Sequence, residues 1–114
     1  MPFINMTPHP INIFVRNENG DEEEIRIDAS GETIRLEETW SEIKIVGGVP
    51  ITQCFYSTPT QLPSPVAGLY YIVSAMVANA FPLRSDFLIP AQTIRNNEGR
   101  IIGCTSLSLV NYYD

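Results

Sequence analysis

The chain has 114 residues, 44% hydrophobic and 18% charged, which suits one domain of ordinary size and is too apolar for a disordered chain. Its net charge is −6, ten of its thirteen acids fall between Glu18 and Glu42, and it has no basic stripe, all of which argues against long nucleic acid as a partner. No apolar run approaches the roughly 20 residues of a membrane span, and Met1–Asn5 lacks a basic, then apolar, leader, so a cytoplasmic location and no membrane partner are expected.

The first half reads as β-structure. Phe3 to Thr7 is expected as a short strand, interrupted by Pro8 and Pro10 because proline supplies no ladder donor. Ile11, Ile13 and Val15 alternate with Asn12, Phe14 and Arg16, a period of two that predicts a second strand. Asn17-Glu18-Asn19-Gly20 is a turn, and Ile25 and Ile27 mark the return strand of a hairpin. A further strand is expected over Thr33–Leu36. Ile43–Val46 and Val49–Tyr56 flank the turn Gly47-Gly48, with Pro50 suggesting an edge or a bulge.

Thr58–Pro65 carries Pro59, Pro63 and Pro65 and reads as an extended connection within one domain spanning residues 1–114. Leu69–Val73 is a buried strand. Ser74 is placed to cap a short helix over Ala75–Phe81, which Pro82 ends, with Met76, Val77, Ala80 and Phe81 on its packed face. Asp86–Ile89 is expected as a strand or loop closed by Pro90. Thr93–Ile102 reads as a hairpin around Asn96-Asn97-Glu98-Gly99, and Leu107, Leu109, Tyr112 and Tyr113 continue beyond it. The sum is an α+β fold, a mainly antiparallel β-sheet with one short helix packed on it.

Chemistry-bearing residues are sparse. His9, the one histidine, is pinned between prolines and reads as a turn residue rather than a catalytic base. Cys54 and Cys104 sit in apolar settings without metal-ligand spacing and read as small buried hydrophobes. The run Asp21–Glu24 reads as a solvated face. No phosphate loop, nucleophile elbow or zinc pattern occurs. These readings favour a protein that is not an enzyme, with no metal and no cofactor.

The segment Phe81–Arg100 is the richer one. Phe81 and Phe87 can stack on a base, Arg84, Arg95 and Arg100 can grip phosphate, and Asp86, Asn96 and Asn97 can read base edges or ribose hydroxyls. The competing reading pairs Arg84 with Asp86 and leaves the asparagines to form the turn.

Short motifs run the length of the chain: Thr7-Pro8-His9, Leu62-Pro63, Tyr71-Ile72-Val73-Ser74, Arg84-Ser85-Asp86, Pro90, Arg95-Asn96-Asn97-Glu98-Gly99 and Ile102-Gly103. In order and spacing they resemble a family of small phage and prophage proteins, and within it the phage anti-Thoeris proteins, sponges for cyclic ADP-ribose signals made by host TIR-domain enzymes. The resemblance implies a phage-encoded, non-enzymatic homo-oligomer that sequesters a cyclic nucleotide signal in the host cytoplasm and so blocks anti-phage defence. It further implies adenine stacking by Phe87 or Phe81, base or ribose contacts from Asn96 or Asn97, and diphosphate contacts from Arg84, Arg95 and Arg100, with Arg35 reaching in. The alternative is a phage structural or protein-interaction module without a small-molecule ligand, using its apolar β-rich body and the aromatic tail at Tyr112 and Tyr113.

Overall fold

A computed structural model describes residues 2–57 and 62–111, so the first half of the expected connection, Thr58–Gln61, and the aromatic tail at Tyr112 and Tyr113 lie outside the described residues. The chain resolves into two compact units, the second of which, residues 34–63, is inserted in the sequence of the first.

The first unit contains β1 (Phe3–Asn5), β2 (Ile11–Arg16) and β3 (Glu22–Ile27) before the insertion. The inserted unit supplies β4 (Glu38–Val46) and β5 (Val49–Tyr56). The first unit then resumes with β6 (Tyr70–Ile72), α1 (Ala75–Ala80), β7 (Phe87–Arg95) and β8 (Ile101–Ser108). Its six strands form one sheet in the order β1-β6-β7-β8-β2-β3. Helix is confined to α1, so the fold is α+β, and no helix among the described residues is long and apolar enough to cross a membrane.

The sheet is mixed: most of its paired residues lie in antiparallel ladders, as expected, but three strand pairs are parallel. β1 runs parallel to β6, β6 to β7, and β2 to β8, whereas β7–β8 and β2–β3 are antiparallel. The physical reason is the connection. β6 and β7 are joined through residues 73–86 with α1 inside them, long enough for the crossover that a parallel pair needs and a tight turn cannot provide. Pro90 does not close β7; the strand runs through it to Arg95, because Pro90 pairs with Leu107 of β8 in a ladder whose one register shift falls later, between Ile94 and Arg95. No strand forms over Thr33–Leu36.

The sheet curls until its outermost strands meet. Asn5 at the end of β1 bridges Ala29, just past the end of β3, and Ser30 N donates to Asn5 O at 2.9 Å. The Asn5 side chain, 1% exposed, completes the closure. Its Nδ2 donates to Ile27 O of β3 at 3.1 Å and to His9 O at 2.7 Å, while its Oδ1 accepts from Thr7 N at 3.0 Å and lies 2.6 Å from Thr7 Oγ1. The Thr7-Pro8-His9 motif is therefore a loop wrapped round one buried amide. His9 serves it with a backbone carbonyl, its side chain being exposed.

Ile11, Ile13, Ile27, Ile72 and Cys104 fill the interior, with Phe3, Val15 and Leu107 packed against them. The period-two alternation of β2 places Ile11 and Ile13 on that inner face. Cys104 is buried, which holds its thiol above the ordinary value, and Cys54 in the second unit is half-buried; neither forms a disulfide. Gly103 is required by close packing: a Cβ there would lie 2.5 Å from the Phe14 ring and 2.7 Å from Asn12 O.

α1 begins where the sequence places it, Ser74 Oγ accepting from Val77 N at 3.3 Å. Its packed face differs from the expected one. Val77 and Ala78 are buried, Met76 is 45% exposed and Ala80 lies in solvent. The helix meets the sheet along one narrow line, so two adjacent positions suffice to bury the contact.

Closure through Asn5 makes a stability prediction. Asn5→Ala leaves the Ile27 carbonyl without its side-chain donor in a buried place, whereas His9 O keeps Thr7 Oγ1, and should cost about 1–3 kcal/mol in urea unfolding, one unsatisfied buried group's worth. Asn5→Asp, which keeps the size but not the donor, should be no better.

Candidate functional site

The residues singled out between Phe81 and Arg100 fall into two groups at opposite ends of β7. Eight residue steps separate Phe87 from Arg95 along that strand, about 26 Å at the rise of a β-strand. One chain therefore does not bring the eight residues onto one small ligand.

The first group lies where α1 leads into β7. Phe87 is 2% exposed. The edges of its neighbours close it in, Tyr71 and Phe81 both T-shaped to it with centroids 6.1 Å away. The Arg84 guanidinium covers its face, with Cζ 4.2 Å from the ring centroid. Phe87 is thus a core ring with a cation as its lid, and it offers no open face to a base. Phe81, half-buried, is the helix C-cap residue and packs on Phe87.

Arg84 makes a fork with Asp86, Nε to Oδ1 at 2.8 Å and Nη2 to Oδ2 at 2.9 Å, and the two side chains are only 17% and 13% exposed. Two parallel hydrogen bonds at that degree of burial make this a strong, oriented pair. The hydrogen bond from Arg84 holds the Asp86 carboxyl below its ordinary value of 3.8, and the same bond raises Arg84. The pairing reading of Arg84-Ser85-Asp86 is the one that the geometry contains.

The second group caps the β7–β8 hairpin. Asn96 Oδ1 accepts from Glu98 N at 2.9 Å and Arg100 N at 3.0 Å, and Arg95 Nη1 donates to Gly99 O at 2.7 Å. Asn96 and Arg95 hold the turn, while Asn97 and Arg100 are exposed beside them. The β2–β3 turn repeats the device: Asn17 Oδ1 accepts from Asn19 N and Asp21 N at 3.0 Å, and Arg16 Nη1 donates to Gly20 O at 2.9 Å. An Arg-Asn…Gly hairpin tip is thus a structural unit used twice in this chain, and its recurrence accounts for these residues without a ligand. Arg35, expected from the first half, belongs to the inserted unit.

The concave place beside this constellation is a groove of about 430 Å³ between the segment Pro65–Tyr70 and the segment Leu83–Asp86. Tyr70, 40% exposed, and the exposed Val66 and Leu83 give it apolar walls, and the Arg84–Asp86 pair gives it a polar end. Its volume lies within the range of small-molecule sites. Sequence reasoning missed the Pro65–Tyr70 side because nothing in its composition distinguishes it from a connecting loop. A second hollow of about 220 Å³ lies on the other part of the sheet, lined by Asn12, Thr93, Ile101 and Cys104 among others. Asn12 Oδ1 is buried there with no hydrogen-bond partner among the described residues. Also among the described residues, no cluster of His, Cys, Asp or Glu is placed to hold a metal ion.

Compared with family models, with curated proteins and with solved structures, the chain matches none.

The Arg84–Asp86 fork makes a pH prediction. Asp86 has a lowered pKa in the folded state, so its contribution to stability is complete above 3.8, the ordinary value, and is lost as the pH falls through the folded value. Asp86→Asn should cost about 1.5–3 kcal/mol at neutral pH, the worth of hydrogen bonds to a charged group. The gap between variant and wild type should narrow in acid, as urea unfolding across the acid range will show.

Proposed function

We propose that this chain is a non-catalytic binding protein that holds a small polar, ring-bearing ligand in the groove between Pro65–Tyr70 and Leu83–Asp86. The single observation that carries this reading is the groove itself: ligand-sized, apolar along its walls, and closed at one end by a fixed guanidinium–carboxylate pair. Such a pair is close to neutral as a whole, which suits a heterocycle or sugar hydroxyls better than a bare diphosphate. Tyr70, 40% exposed and packed on one side against the Phe3 ring with centroids 5.9 Å apart, is the exposed ring of the groove. It takes the place that the family resemblance assigns to Phe87 or Phe81.

The resemblance supplies the ligand class, a cyclic nucleotide such as a cyclic ADP-ribose isomer. The protein would then be a phage-encoded sponge working in the host cytoplasm, without cofactor and as a homo-oligomer. In that arrangement Arg95, Asn97 and Arg100 of one copy are available to a ligand seated on another copy, since their own groove is a strand length away. The interaction-module reading is favoured by a different observation, the apolar surface of the β4–β5 hairpin, which is compatible with either function.

The test is a thermal-shift panel of cyclic ADP-ribose isomers, cyclic dinucleotides and linear nucleotides. A ligand at a hundred times its dissociation constant should add about 2.7 kcal/mol of stability. Val66→Trp, which fills the groove from an exposed position, should remove the shift while leaving the unliganded melting temperature nearly unchanged. A shift that survives this substitution would move the ligand out of the groove. No shift with any compound would leave the protein-interaction reading.

A further inference from the structure

One residue of the six-stranded sheet holds a backbone conformation that its side chain disfavours. At six positions among the described residues a positive φ is carried by glycine; at one, Gln92 in the middle of β7, it is carried by a long amide with φ 56°. That conformation crowds the Cβ of an L-residue against the following carbonyl. The strain does not serve the pairing of the strands. The β7–β8 register is the same on either side of it, Ala91 opposite Ser106 and Thr93 opposite Cys104.

What it does serve is the placement of the Gln92 amide. Its Oε1 accepts from Thr105 Oγ1 at 3.0 Å and from Ser106 Oγ at 3.1 Å. Two donors on one oxygen fix the amide, while the N–H donors of Nε2 have no partner among the described residues. Gln92 and Thr105 are exposed, so water competes for these bonds and they offset little of the strain. Strained residues of this kind collect at ligand sites, where the side chain has to be aimed.

Gln92 lines a hollow of about 510 Å³ with Phe14, Arg16, Glu22, Ile94 and Thr105, a volume in the range of small-molecule sites. Ile11 and Ile13 of β2 and Cys104 of β8 are buried, so Phe14, Arg16, Gly103 and Thr105 belong to the opposite face of the sheet. The half-buried Phe14 ring reaches across β8 over Gly103, where a side chain would collide with it, and gives the hollow an apolar floor. The rim is polar and of both kinds: Gln92 Nε2 donates, whereas Thr105 Oγ1, its proton directed to Gln92, is left to accept. Glu22 stands opposite Arg16 and Glu24 opposite Phe14 in the β2–β3 register, so two carboxylates against one guanidinium repel a phosphate. A neutral ring with one apolar face and several hydroxyls, each able to donate and to accept, meets all of these conditions.

We propose that this face of the sheet is a binding site for a neutral saccharide, its apolar ring face on Phe14 and its hydroxyls on Gln92 Nε2, Thr105 Oγ1 and Glu22. The site shares no residue with the groove between Pro65–Tyr70 and Leu83–Asp86, so the two readings stand or fall separately.

The experiment is saturation-transfer NMR of the full chain with neutral trisaccharides built from glucose, galactose, mannose and N-acetylglucosamine, and with adenosine and uridine as neutral nucleosides. The expected result is transfer to at least one trisaccharide. Gln92→Glu keeps an oxygen for Thr105 and Ser106 but removes the Nε2 donors, and should weaken that binding at least tenfold while the melting temperature holds. Because the probe is uncharged, such a loss reports the missing donors. Gln92→Gly, which suits a φ of 56° and removes the whole amide, should stay folded and lose binding equally. Binding that survives both substitutions overturns the proposal, since Gln92 then only holds the strands. Absence of transfer to every trisaccharide overturns it too, and so does transfer to the nucleosides alone.

Discussion

A single buried carboxamide sets the shape of the six-stranded unit. Asn5 joins the first strand of the sheet to the last, and each of its side-chain polar atoms is occupied, the oxygen by Thr7 and the nitrogen by two carbonyls. The closure is made at that end alone: Glu22–Arg26 of β3 remain exposed, an edge whose carboxylates discourage pairing with other chains. A buried amide is also costly unless satisfied, so the loop Met6–His9 must take one conformation for the sheet to close. The prolines on either side of His9 narrow the unfolded alternatives to that loop. The motif whose histidine reads as a turn residue is thus a closure device centred on Asn5, four residues before that histidine.

The same displacement of role occurs two strands away, at the start of β7. Arg84 and Phe87 have the residue types of a nucleotide clamp, yet in the folded chain they satisfy one another. The ring fills the core beneath α1, the guanidinium covers the ring, and Asp86 holds the guanidinium in a fork. A consequence is that substitutions at Phe87 report on stability first, as a buried aromatic lost to alanine costs about 3–5 kcal/mol whatever the protein binds. Binding is better probed from exposed positions such as Val66 and Tyr70, which line the groove without holding up the core.

The two units differ in how they meet the requirement to bury apolar surface. The six-stranded unit does so internally, with Ile72 and Val73 at 0% and 1% exposure. The hairpin carries as apolar a sequence but has no second layer of its own. Its strands alternate in period two while both faces keep large side chains, Trp40 and Tyr56 on one and Phe55 and Ile51 on the other. A strand half-buried in one body needs one apolar face, whereas both faces of this hairpin carry apolar side chains that remain exposed in the single chain.

What the amino-acid sequence determined by itself is local. The alternation of Ile11, Ile13 and Val15, the Asn and Gly of each hairpin tip, the Ser74 cap and the Gly47-Gly48 turn depend on contacts within a few residues, and their places could be read from the chain. The pairing of Arg84 with Asp86 was among the readings for the same reason. Strand direction, the buried face of α1, the passage of β7 through Pro90 and the role of Asn5 were decided by tertiary structure. Asn5 depends on Ala29 and Pro90 on Leu107, partners distant in sequence. The parallel β6–β7 pair was partly legible, since a strand, a helix and a strand in succession require a crossover, but the antiparallel hairpins on both sides mask it. The site followed the same rule. Residue types announce what a side chain is able to bind, and packing decides whether that capacity is spent inside the protein or left open to a ligand.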